Sequence, residues 1–154
     1  MAYDPYPTRC NICGGPVSLK SDYIIYGRRI GPGSIYSCGK CGARVGTHPR
    51  LPSEKNKPPR ALGVLADEPM RELRIRCHGF FDTLWRNKHK RLKVRAHLYW
   101  TLAGILGVAE PQAHFAMMSH KELEDALEAI KDNWDFLNED ARDFEQMLLE
   151  KEKK

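Results

Sequence analysis

The chain has 154 residues, 42% hydrophobic and 29% charged, which suits one domain or two small ones sharing a core and excludes a disordered chain. No apolar run reaches the roughly 18 residues of a membrane helix; the longest uncharged stretch, Ala96 to Ala109, holds His97, Thr101 and two glycines, so no membrane partner is expected. The net charge of +5 is unevenly spread: residues 1–95 hold 19 Lys/Arg against 7 Asp/Glu, and residues 96–154 hold 6 against 13. That division pairs a basic surface for a polyanion with an acidic end, which solvated outer faces of helices would equally explain.

In chain order, Met1-Ala-Tyr-Asp-Pro-Tyr-Pro7 has no basic start followed by an apolar segment, so no secretory signal and a cytoplasmic location are expected. Next comes Cys10-Asn-Ile-Cys13, matched by Cys38-Gly-Lys-Cys41. Two CxxC pairs at this separation form two knuckles that together supply a tetrahedral thiolate site for one zinc ion. Gly14 and Gly42 follow the second cysteine of each pair, where a left-handed backbone turns amide N–H groups toward the thiolates. Four closed ligands make such a zinc structural, since a catalytic zinc keeps a position for water. Disulfides are the competing use of four cysteines and iron the competing metal, while His48 is the nearest rival ligand. Arg9, Lys40 and Arg44 stand beside the ligands and would offset the −2 charge of a four-thiolate zinc or contact nucleic acid.

Each knuckle continues into a β-like run, Pro16–Leu19 and Ala43–Gly46, and the segments Ser21–Tyr26 and Ser34–Ser37 complete a predicted hairpin or three-stranded ribbon. Its glycine-rich turn, Gly27 to Gly33, carries Arg28 and Arg29. Tyr23, Tyr26 and Tyr36 are read as strand aromatics beside these bases, a stacking platform for single-stranded nucleic acid, or as cover for a small core. The run His48 to Arg60 holds four prolines and is neither helix interior nor central strand; an exposed connection is expected.

Asp67 is a natural N-cap, and Met70, Leu73, Cys77, Phe80/Phe81 and Leu84 recur at helical spacing to about Trp85. Cys77 on that stripe reads as a buried small hydrophobe. The following Arg86-Asn-Lys-His-Lys-Arg-Leu-Lys-Val-Arg95 holds Arg86, Lys88, Lys90, Arg91, Lys93 and Arg95 with no acid, the footprint of phosphate binding or a solvated face. A second helix is predicted over Val94–Leu106, burying Leu98, Leu102, Ile105 and Leu106 and closed by Gly107. Ser119-His-Lys-Glu122 is a capping box for a third with Leu123, Ala126, Leu127 and Ile130 inward. Asn138 or Asp140 would start a last helix with Phe144, Met147 and Leu148 inward. No catalytic residues are assigned and no small-molecule substrate is expected; His78 and Asp82, with His97 or His114, are the only candidates for a second metal or acid–base site.

The expected fold is α+β, an N-terminal four-cysteine zinc ribbon packed with a C-terminal bundle of three to four helices. Its divisions are a ribbon over 1–50, a proline-rich linker over 51–66, a helical region over 67–135 and an acidic helix or tail over 136–154. The ordered strings Cys10–Val17, Ile35–His48, Leu62–Ala66, Leu73–Trp85 and Tyr99–Gly107 together resemble the phage and prophage zinc-finger-containing domain family over roughly residues 10–130. The resemblance implies zinc at Cys10, Cys13, Cys38 and Cys41 and a bacteriophage or integrated-phage source, and it supplies no activity. The cysteine spacing and the Ala43-Arg44-Val45 run are also similar to the zinc ribbons at the end of bacterial type I topoisomerases, which bind single-stranded DNA. The leading expectation is a non-catalytic binder of DNA or RNA, single strands favoured, with phosphates on Arg28, Arg29, Arg44 and the 86–95 cluster and bases on Tyr26 and Tyr36. The rival is an interaction module docking a host polymerase, nuclease or defence protein on the acidic helices from 119 to 150, including Trp134 and Phe136.

Overall fold

The computed structural model describes residues 3–29 and 33–153. The fold is α+β: a three-stranded antiparallel sheet near the N-terminus carries the four cysteines, and helices follow it. Two compact units divide at Arg71 and Glu72. No helix among the described residues is long and apolar enough to cross a membrane.

In the first unit, β1 (Val17–Ser21), β2 (Ser34–Cys38) and β3 (Arg44–Gly46) pair in that order, with Val17 opposite Cys38 and Tyr36 opposite Val45. Their inward face packs Tyr36, Val45, Ala61 and Leu65 around Cys10, Cys38 and Ala43. Of Ser21–Tyr26, expected as strand, Ser21 ends β1 and the rest is instead a short helix, α1 (Asp22–Tyr26). Its ends are both capped locally: the Ser21 hydroxyl accepts from the Tyr23 N–H at 3.2 Å, and Gly27 closes it at φ +71°. A side-chain acceptor before and a left-handed glycine after outweigh the strand preference of Tyr and Ile over so few residues. Of the expected glycine-rich turn, residues 30–32 lie outside the described residues.

The proline-rich linker expected over 51–66 has two unlike parts. Residues 51–58 are mostly exposed and contain a 3-10 turn at Pro52–Glu54. From Ala61 the chain runs back beside the sheet, forming bridges Thr47–Ala61 and Arg44–Ala66. Ala61, Val64, Leu65 and Ala66 are buried. Asn11, between the first two cysteines, fixes the return: its side chain accepts from the Leu65 N–H at 2.8 Å and donates to the Leu65 carbonyl at 3.0 Å.

The helix α2 (Glu68–Phe81) starts as expected, with Asp67 accepting from the Met70 N–H at 3.0 Å. It ends before Trp85, in a 3-10 turn at Asp82–Leu84. In the second unit, α3 (Arg91–Leu106) begins three residues before the expected Val94 and ends at Gly107, φ +70°. It buries Val94, Leu98, Tyr99, Leu102 and Ala103, while Ile105 and Leu106 are only half-buried. The core gathers Phe81, Tyr99 and Phe115, the Phe81 ring lying 4.8 Å from Tyr99 and 5.6 Å from Phe115. The helix α4 (His120–Asp132) carries the capping box, with Ser119 and Glu122 each bonded to the other's backbone N–H.

The last helix, α5 (Trp134–Glu152), starts before the expected Asn138 or Asp140. Asn133 alone separates it from α4, donating its side-chain amide to the Ala129 carbonyl at 2.8 Å while its own carbonyl takes the Leu137 N–H. The same asparagine ends one helix and begins the next, so no proline or glycine marks the break. Leu137 and Ala141 are the buried residues of α5, Phe144 and Leu148 are half-buried, and Met147, expected inward, is exposed.

Gly104 sits in the interior of α3, and a Cβ added there meets nothing within 4 Å. Gly104→Ala is therefore expected to stabilise the protein by about 0.5–1 kcal/mol. Thermal melting reads this as a rise of a few degrees; a lowered midpoint would contradict an open interior position in α3.

Candidate functional site

The two cysteine knuckles repeat the same backbone design. Cys10 N–H donates to the Gly15 carbonyl and Gly14 N–H to the Cys10 carbonyl, at 2.8 and 2.9 Å. Cys38 N–H donates to the Ala43 carbonyl and Gly42 N–H to the Cys38 carbonyl, at 2.8 and 3.2 Å. Gly14 and Gly42 take φ +75° and +79°, which is the left-handed turn that both knuckles need. This brings the four Sγ atoms within 4.8 Å of one another, with Cys10 to Cys41 at 3.6 Å and Cys13 to Cys38 at 3.5 Å. Tetrahedral zinc with Zn–S near 2.3 Å sets the sulfurs about 3.8 Å apart, so the donor set fits one structural zinc. His48 is not part of the cluster.

The sulfurs are also held from outside. Backbone N–H groups of Ile12, Gly15, Lys40 and Cys41 donate to Cys10, Cys13, Cys38 and Cys38 at 3.3–3.4 Å. Donation from Cys41 N–H first, and Lys40 N–H besides, draws the Cys38 thiol down to about 6 against its lost solvation. At Cys41 the Ala43 N–H pulls downward, yet lost solvation and hydrogen bonds with the other three thiols push it up to about 12. Thiols this close resist ionising together; a dication at their centre removes the conflict.

Gly15 was not singled out from sequence, and its position is the tightest at the centre. A Cβ there would lie 2.7 Å from Lys40 Cβ, 3.0 Å from Cys38 Sγ and 3.2 Å from Cys13 Sγ. Its counterpart, Ala43, is fully buried and carries its methyl without difficulty. Gly15→Ala is expected to weaken zinc retention and cost about 1–3 kcal/mol by overpacking, measured as zinc release to a competing chelator. Wild-type release would show that the knuckles can spread freely.

The predicted nucleic-acid residues fall in both units. In the first, Arg28 and Arg29 are exposed, and the Arg44 guanidinium lies 5.0 Å over the Tyr26 ring, with Nε donating to Tyr26 Oη at 2.9 Å. Tyr26 is 40% exposed on α1, where Tyr23 is also exposed. Tyr36 corrects the expectation: it is 4% exposed, packs in the core and donates its hydroxyl to the Pro59 carbonyl at 2.8 Å. Its strand position opposite Val45 faces the knuckles and not solvent, so it offers no ring face to a base.

In the second unit, Arg86, Arg91 and Lys93 are exposed and Lys88 is half-buried. Among the described residues no carboxylate pairs with these four. Lys90 pairs with Glu152, and its backbone N–H donates to Glu145 at 3.0 Å. Arg95 lies across two rings, Tyr99 at 4.9 Å and Trp85 at 5.6 Å. The histidines considered for acid–base chemistry are dispersed in separate pairs: His78 with Asp82 at 3.5 Å, His97 with Asp140 at 3.0 Å and His114 with Glu110 at 2.9 Å. Asp82 also takes the Trp85 indole N–H at 3.1 Å, and His97 stacks on Phe144 at 4.0 Å.

A family model described as a zinc-finger-containing domain matches residues 6–133. No curated protein and no solved structure matches the chain.

Proposed function

Since the chain belongs to the zinc-finger-containing domain family, we propose that it is a non-catalytic nucleic-acid-binding protein that favours single-stranded DNA or RNA. The observation that carries this is the start of α3. Its first turn holds no acid of its own, Glu145 reaching it only at the Lys90 N–H, and Arg91 and Lys93 stand exposed there, where the helix end already contributes partial positive charge. Cations at that end cost a helix a few tenths of a kcal/mol or more, so fold stability gives no reason for them. Phosphate oxygens would meet both the side chains and the helix end. Arg28, Arg29 and Arg44 with Tyr26 supply a further cationic and aromatic surface on the first unit. The zinc shapes the knuckles and takes no part in chemistry.

A bacteriophage or integrated-phage source, with action in the bacterial cytoplasm, belongs to the same proposal. It is supported by the ordered strings from Cys10 to Gly107. The likeness of the ribbon to those of type I topoisomerases supports single strands.

Fluorescence anisotropy with labelled single-stranded DNA, single-stranded RNA and duplex DNA tests this at low salt. Binding of both single strands at micromolar protein or below, tighter than the duplex, is expected. Failure to bind any of the three would remove nucleic acid as the partner.

A further inference from the structure

A large aromatic side chain on α3 was not among the residues expected to bind. Trp100 is 66% exposed, standing off the buried stripe of Leu98 and Leu102. Beside it runs a groove of about 550 Å³, lined chiefly by Trp100, Gly104, Ile105, Val108 and Phe136, with Phe136 itself 53% exposed. Thr101 and Glu110 are its polar members, and no Lys or Arg lines it. Glu110 is already engaged with His114.

We infer that this groove receives unpaired nucleobases of a strand whose phosphates lie on the cations at the start of the same helix. The inference rests on the nucleic-acid proposal above and names a base-binding site within it. Lys93 and Trp100 are seven residues apart, two helical turns, and so fall on one line about 10 Å long. Both are exposed. Along that line the helix passes from a run of cations to the uncharged stretch 96–109, so phosphate-binding chemistry gives way to stacking chemistry. The charges around the groove orient the strand. Asp135 and Glu139 flank Phe136 on α5 and are exposed; they repel phosphate, so the part of the strand suited to the groove is an uncharged ring. A duplex keeps its bases stacked on each other and gains nothing from such a groove, whereas each base stacked on an aromatic side chain contributes substantially to single-strand affinity.

Two variants test the groove in the full-length zinc-loaded protein. Trp100→Ala removes the stacking wall, and Trp100→Phe restores part of it. Gly104→Leu fills the groove from a position where an added Cβ meets nothing within 4 Å, so it keeps the test open should Trp100→Ala fold poorly. The probe is a fluorescein-labelled single-stranded DNA of about 20 nucleotides, with the matching duplex as comparison. Trp100→Ala and Gly104→Leu are expected to weaken single-strand binding roughly ten-fold and leave duplex binding and the salt dependence unchanged, with Trp100→Phe in between. Wild-type single-strand affinity in both variants would overturn the base site while leaving the nucleic-acid proposal standing. Equal losses on single strand and duplex would also overturn it. So would sedimentation showing a dimer that Trp100→Ala dissociates without loss of single-strand affinity, which would assign the groove to a protein contact. Absence of any binding by the wild-type protein would instead defeat the underlying proposal.

Discussion

Replacing Cys38 by serine is expected to abolish zinc retention and to unfold the knuckles and sheet of the first unit. Cys38 is the most heavily supported of the four ligands: it is 3% exposed, lies 3.5 Å from Cys13 Sγ, and takes N–H donations from both Lys40 and Cys41. It also ends β2, so the ligand and the sheet share one residue. The core beneath is small, with Tyr36, Val45 and Leu65 its bulkiest buried members. A structural zinc contributes on the order of 10 kcal/mol to folding a small metal domain, comparable with the entire stability of an ordinary domain. Zinc content should fall from about one equivalent to under a tenth. Amide protection in β1, β2 and β3 should be lost with it. Cys77→Ser is the control: Cys77 is buried in the second unit, its thiol pushed up to about 11 by burial and donating to the Leu123 carbonyl at 3.6 Å. Zinc content should be unchanged there. A Cys38→Ser protein with full zinc and native amide protection would rule out the four-thiolate centre.

Neutralising Arg86, Lys88, Arg91 and Lys93 together to glutamine is expected to remove most nucleic-acid affinity without loosening the fold. These are the cations of the 86–95 run that neither a carboxylate nor an aromatic ring engages among the described residues, whereas Lys90 is tied to Glu152 and Arg95 to two aromatic rings. Each phosphate contact on a single strand contributes about 0.7 to the slope of log affinity against log salt, so four lost contacts flatten it by about 3. At roughly 50 mM salt that corresponds to an affinity loss on the order of a thousand-fold. Stability should hold or rise slightly, because the helix dipole disfavours Arg91 and Lys93 where they stand. Anisotropy and thermal melting on the same preparation separate the two effects. Retained affinity in a folded variant would move the phosphate surface away from α3.

How far each feature could be read in advance follows the range of the interactions that make it. The zinc ligands were legible because a CxxC knuckle closes on itself within six residues, as the Cys10 to Gly15 hydrogen bond demonstrates. The Ser119 capping box and the Asp67 cap were legible for the same reason. What escaped depends on partners far along the chain. Residues 60–66 lie beside the sheet because Asn11 grips Leu65 from 54 positions away, and Pro58-Pro59 gives a local signal of linker. That return also encloses Tyr36, whose hydroxyl meets Pro59; as an isolated strand residue it had an equal claim to solvent. Trp100 carried a usable signal, since the apolar spacing of Leu98 and Leu102 leaves it on the outer face. Its neighbour Phe136 comes from α5, whose start has no local signal in sequence because Asn133 serves two helices.

The salt dependence of single-strand binding by the unmodified zinc-loaded protein tests the proposed function most directly. Log affinity for a labelled single strand should fall with log salt at a slope of about −3 or steeper, the share of the four unpaired cations alone. A slope near zero, or no binding at roughly 50 mM salt, would contradict a phosphate-binding surface on this chain.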